Sequence, residues 1–132
     1  MKLSYLIDTD WVIHYLNGNE KIVEKLTSFK KKRLAISVIS LAELYEGVYY
    51  SRDPTGNEQA LRDFLAGVSV LGINEEICKI FGKERDGLRK KGRIIGDFDL
   101  LIAPTCIYYD LIVLTNNRKH YEVVEGLKII SV

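Results

Sequence analysis

Short apolar runs alternate with amphipathic stretches along the whole chain. Residues 3–7 are mainly apolar and stop at Asp8, the form of a buried strand with an acid at its carboxyl end. Thr9 and Asp10 are placed to cap the helix that follows, residues 11–16, which Asn17-Gly18-Asn19 stops. Ile22, Val23, Leu26 and Phe29 fall at helical spacing, and Lys30-Lys31-Lys32-Arg33 suit the negative end of that helix. Residues 34–38 predict a second strand. Ser40 then opens a helix carrying Leu41, Leu44, Tyr45 and Val48, and Glu43, three residues on, completes a capping-box pattern. Asp53-Pro54-Thr55-Gly56-Asn57 reads as a loop before a helix marked by Leu61, Phe64 and Leu65.

Residues 68–73 predict a third strand or extended segment, and Asn74 begins a helix with Ile77, Ile80 and Phe81 inward that ends near Gly92. Asp97 and Asp99 then open an apolar helix running to Tyr109, where Pro104 removes one backbone bond and is expected to bend it. Residues 111–115 are a fourth strand, residues 116–121 are polar, and residues 127–132 are a last strand. Strands and helices alternate throughout, which predicts an α/β fold: a three-layer α/β/α arrangement with a mostly parallel central sheet covered on both faces.

With 132 residues the chain has the size of one domain, taken here as residues 1–132. A formal net charge of +1 gives no global field for a polyanion, so any attraction for nucleic acid has to be local. The sequence offers no apolar run near the roughly 20 residues of a membrane span, and its N-terminus reads as a strand rather than a leader. Cys78 and Cys106 sit singly in apolar helical patterns without metal-ligand spacing, and read as two buried free thiols of a cytoplasmic protein.

Candidate chemistry lies in the acids. In open α/β sheets the ligand crevice is outside the carboxyl ends of the strands. Asp8 follows the first strand, Glu43 lies one turn into the helix after the second, Asp97 and Asp99 start the helix before the fourth, and Thr115, Asn116 and Asn117 follow it. Two carboxylates about 4 Å apart repel by roughly 4 kcal/mol at an effective dielectric near 20, so such a cluster calls for shared protons or a cation. The ligands are hard oxygens without Cys or His, which favours Mg2+, with Mn2+ as the alternative, over Zn2+. Such an ion lowers the pKa of bound water and offsets charge in phosphoryl transfer, pointing to phosphodiester hydrolysis by metal-activated water.

The segments Leu6-Ile7-Asp8-Thr9-Asp10, Ser40-Leu41-Ala42-Glu43-Leu44-Tyr45-Glu46-Gly47, Gly96-Asp97-Phe98-Asp99-Leu100-Leu101-Ile102-Ala103 and Leu114-Thr115-Asn116-Asn117 resemble, in order, the motifs of PIN domains. The likeness is to the VapC-type ribonuclease toxins of toxin–antitoxin pairs, and it covers nearly the whole chain. It implies that Asp8, Glu43 and Asp99 form the catalytic acids, with Asp97 as an accessory acid, and that these four carry the metal. Asn117, or in its stead Asn116, occupies the place of a fourth Asp in many relatives. Thr9 and Thr115 resemble the polar neighbours that orient water or phosphate. The resemblance further implies a homodimer, a cognate antitoxin partner and an RNA substrate.

Other features have plainer readings. Asp10 is expected as a helix cap, and the runs 30–33 and 89–93 as solvated surface. Arg118, Lys119 and Arg93 are the candidates for RNA phosphates. Tyr121 is a conceivable base-stacking residue, and His14 and His120 are surface or half-buried. One rival reading is a haloacid-dehalogenase-like phosphatase with Asp8 as nucleophile, using Asp8-Thr9-Asp10-Trp11-Val12. A non-enzymatic receiver-type phosphoacceptor fits less well, since Gly72-Ile73-Asn74 offers no acceptor acid.

Overall fold

The computed structural model describes residues 2–92 and 99–132, with the backbone alone for Asp99. Five strands, β1 (Tyr5–Ile7), β2 (Leu34–Ser37), β3 (Ser69–Leu71), β4 (Ile112–Leu114) and β5 (Ile129–Ile130), form one sheet in the order β3-β2-β1-β4-β5. Every pairing is parallel, so the sheet is wholly parallel. Tyr5 pairs with both Leu34 and Ile112, and Ile7 pairs with Leu114, which brings the ends of β1, β2 and β4 to one edge.

Alternation along β1 sends Ile7 and Leu6 to opposite faces. Ile7 joins Trp11, Val12, Ile22, Leu26, Leu44 and Leu61 from α1 (Thr9–Leu16), α2 (Glu20–Ser28), α3 (Val38–Tyr50) and α4 (Pro54–Leu65). On the other face Leu6 packs with Val113, Tyr121 and with Ile102, Ala103 and Cys106 of α6 (Asp99–Tyr109), against which α5 (Glu75–Lys90) lies. Both faces are thus covered, as expected of parallel strands. Among the described residues no helix is long and apolar enough to cross a membrane.

Several helix starts differ from the sequence reading. Asp8, not Thr9 or Asp10, is the N-cap of α1, its side chain accepting from the Thr9 amide. Ser37, not Ser40, caps α3, its Oγ accepting from the Ile39 amide at 3.1 Å. The last residue of β2 therefore opens the helix directly, and Ser40 lies buried in the first turn with no hydrogen-bond partner for its hydroxyl among the described residues. Asp53 caps α4 with Pro54 in its first turn, so the segment expected as a loop is a helix start.

The basic run 30–33 does not close α2; Lys31–Arg33 form a 3-10 turn leading into the start of β2, at the edge of the sheet opposite Asp8. Cys78 is exposed and Cys106 buried, and both are free; only the second matches the expected burial. Helix α6 runs through Pro104, and the Thr105 hydroxyl donates to the Leu101 carbonyl at 2.9 Å. It ends in a Schellman arrangement: Asp110 at φ 55°, with the Asp110 and Leu111 amides donating to Ile107 and Cys106 carbonyls. That turn leads directly into β4.

Candidate active site

Asp8 sits at the carboxyl end of the central strand, buried and bonded on both carboxyl oxygens. Its Oδ1 accepts from the Thr9 amide at 2.9 Å and its Oδ2 from the Thr115 hydroxyl at 2.8 Å. Burial pushes its pKa from 3.8 up to about 6; the Thr115 hydrogen bond opposes that, the Asp10 charge adds to it, and the Thr9 amide and Tyr121 hydroxyl oppose it. A carboxyl held this high at neutral pH is poised to gain from a nearby cation.

Glu43 projects from α3 and its Oε1 accepts from the Thr9 hydroxyl at 3.1 Å, so one residue touches both acids through separate atoms. Because Ser37 is the cap, Glu43 is not the back-bonding member of a capping box and is held from α1 instead. Asp10 lies in the first turn of α1, where its Oδ1 accepts from the Trp11 amide at 2.8 Å and its Oδ2 from the Asn116 amide at 3.0 Å. It braces the turn after β4, a role that sequence reading as a cap missed; only its short spacing from Asp8 hinted at it.

The segment after β4 is densely bonded. The Asn117 amide donates to Thr115 Oγ1 at 2.9 Å, and the Asn117 side-chain nitrogen meets His120 Nδ1 at 2.9 Å. Asn116 directs its side-chain oxygen to Trp11 Nε1 and to the Val132 amide, both at 3.0 Å. Trp11, Ser131 and Val132 were also absent from the sequence-derived site; their contacts to this turn span 16 to 105 residues and leave no local signature.

Comparison with known proteins gives this arrangement a family. The PIN domain model matches residues 5–126. The chain belongs to the PIN-domain family. Ribonuclease VapC1 of Haemophilus influenzae (strain R2866) is 32% identical over 128 residues, 96% of each chain. The tRNA(fMet)-specific endonuclease VapC of Shigella flexneri is 29% identical over 126 residues, again 96% of each. Among solved structures, VapBC2 from Rickettsia felis bound to a promoter DNA fragment superposes with a TM-score of 0.89 at 28% identity, covering 98% of this chain and 99% of that one. DNA-bound VapBC from Salmonella typhimurium gives a TM-score of 0.90 at 27% identity, covering 98% of both chains. This PIN domain is a ribonuclease of the VapC kind.

The phosphatase and receiver readings fall with that kinship. They also fit the site poorly: both Asp8 oxygens already accept hydrogen bonds, and Asp10 is committed to two backbone amides rather than placed as an acid. Asp97, Arg93 and the Asp99 side chain lie outside the described residues, so the described part of this PIN domain brings together Asp8, Glu43, Thr9 and Thr115. Among the described residues no three His, Cys, Asp or Glu side chains gather as a metal cage. PIN-domain ribonucleases are in general divalent-metal dependent. The donors present fit such an ion, since they are carboxylate and hydroxyl oxygens around an acid whose charged form burial disfavours.

Of the RNA-contact candidates, Lys119 is exposed, while Arg118 is held by Glu122 at 3.0 Å and by Ser131 Oγ at 3.1 Å. Tyr121 is 1% exposed in the core beneath Asp8, which rules out stacking on a base.

Proposed function

We propose that residues 1–132 form one PIN domain acting as the Mg2+-dependent endoribonuclease toxin of a type II toxin–antitoxin pair, with Mn2+ as a substitute ion. The observation that carries the reading is the pairing of whole-chain kinship to VapC ribonucleases with Asp8 and Glu43 joined through Thr9 at the sheet edge. Asp8, Glu43 and Asp99 serve as the catalytic acids, with Asp97 as an accessory acid, and these four hold the ion. When bound, the ion supplies Lewis acidity toward the phosphodiester and an activated water.

The chain's own residues prepare that chemistry. Thr115 and the Thr9 amide fix both oxygens of Asp8, so its carboxylate plane is set before substrate arrives. Thr9 sets the distance of Glu43 from Asp8. Asn117 stands where a fourth acid would be, giving an amide in place of a charge, and Lys119 is positioned on the exposed turn for backbone phosphate. The relatives' names make a structured RNA such as tRNA the first substrate to try, their VapBC complexes make a cognate antitoxin the expected partner, and the resemblance to VapC-type toxins implies a homodimer.

The test is cleavage of a total tRNA pool by the purified chain with Mg2+ and with chelator, mapping RNA ends, beside expression with and without the neighbouring open reading frame. Discrete Mg2+-dependent ends, absent with Asp8→Ala, support the reading. Intact RNA under all conditions refutes it.

A further inference from the structure

The turn after β4 is fastened to a point deep in the core. Trp11 is fully buried among the side chains of α1 to α4, and its indole N–H donates to Asn116 Oδ1 at 3.0 Å. The Val132 amide donates to the same oxygen at 3.0 Å. Both partners are donors, so the atom facing them has to be the amide oxygen rather than the nitrogen. A carbonyl oxygen has two lone pairs, and both are used here. Asn116 therefore has no acceptor left on that atom for a cation, although it stands beside Asn117 at the place where relatives of this resemblance carry an acid.

We infer that Asn116 is a positioning residue: Trp11 and Val132 clamp its side chain, and the clamp sets the turn that presents the Thr115 hydroxyl to Asp8. The main chain carries the effect over a short path. The Asn116 amide holds Asp10 Oδ2 at 3.0 Å, the Asn117 amide holds Thr115 Oγ1 at 2.9 Å, and Thr115 Oγ1 donates to Asp8 Oδ2 at 2.8 Å. The Thr115 hydroxyl has one hydrogen to give and accepts from the Asn117 amide; of the two carboxylates it faces, Asp8 Oδ2 at 2.8 Å is the nearer acceptor and Asp10 Oδ1 lies at 3.5 Å, so the hydrogen goes to Asp8. The effect on turnover rests on the ribonuclease reading above; the clamp itself does not.

Asn116 is exposed, so Asn116→Leu removes the acceptor without opening the core. Trp11 is the single tryptophan, so its indole N–H gives one unambiguous NMR resonance. In Asn116→Leu that resonance is expected to shift and to exchange faster with water. Turnover should fall about tenfold to a hundredfold, as for a small misplacement of a catalytic group, with KM for RNA unchanged. Trp11→Phe should lower turnover in the same direction, and Asn116→Leu should cost little more in that background, because the two changes break one contact.

An unmoved indole resonance, or additive losses in the double variant, would overturn the inference. Should the unmodified chain cleave no RNA, the ribonuclease reading fails, and the indole resonance still decides whether the clamp exists.

Discussion

The Thr9 hydroxyl donates to Glu43 Oε1 at 3.1 Å while the Thr9 amide donates to Asp8 Oδ1 at 2.9 Å. A single residue in the first turn of α1 thereby spaces two acids that arise from different strand–helix junctions. Glu43 is exposed, so its carboxylate is held in place rather than needed for packing. Glu43→Ala is expected to lower RNA cleavage at least about a hundredfold while changing stability by no more than about 0.5 kcal/mol. Asp8→Ala and Asp99→Ala should abolish cleavage alike, and Asp97→Asn should weaken the ion's hold. Single-turnover cleavage beside urea denaturation checks these; full activity in the Glu43 variant would remove it from the catalytic set.

Asp8 makes the metal-free protein less stable as pH rises. Its pKa is 3.8 in the unfolded chain and about 6 when folded, so between those values the folded state binds the extra proton. That contribution is full below about pH 4 and is lost as pH climbs through 6, for a total near 3 kcal/mol. Asp8→Asn keeps an N-capping side chain but cannot ionise. In chelator it should match the parent's melting temperature near pH 4 and exceed it at pH 7.5. Parallel melting curves across that range would contradict the raised pKa.

The same repulsion and desolvation make a divalent ion stabilising. Mg2+ at about a hundredfold above its Kd should add about 2.7 kcal/mol at neutral pH, seen as a rise in Tm by differential scanning calorimetry. Asp8→Asn should lose most of that rise. A parent Tm indifferent to saturating Mg2+ would mean that no ion binds the folded state in preference to the unfolded chain.

Two nearby serines should separate capping from burial. Ser37→Ala removes the N-cap of α3 and should cost about 1 kcal/mol. Ser40→Ala removes a buried hydroxyl that has no partner among the described residues, and should be neutral or stabilising. Chemical denaturation of both variants checks this, and a larger loss for Ser40→Ala would restore it as the cap.

The sequence by itself determined the kinds of element and their order, because apolar periodicity and turn residues act over a few positions. It also marked Asp8, since an acid closing a buried strand is conspicuous. Tertiary structure decided what depends on partners far along the chain. Ser37 rather than Ser40 became the cap because pairing with β3 carries β2 as far as Ser37, opposite Leu71, where the strand ends. Asp10 and Arg118 were drawn into bracing by groups that strand register brings to them, and Tyr121 was taken into the core. Asn116 and Asn117 are alike in sequence; they differ in the fold because only one of them reaches the indole of Trp11, 105 residues earlier.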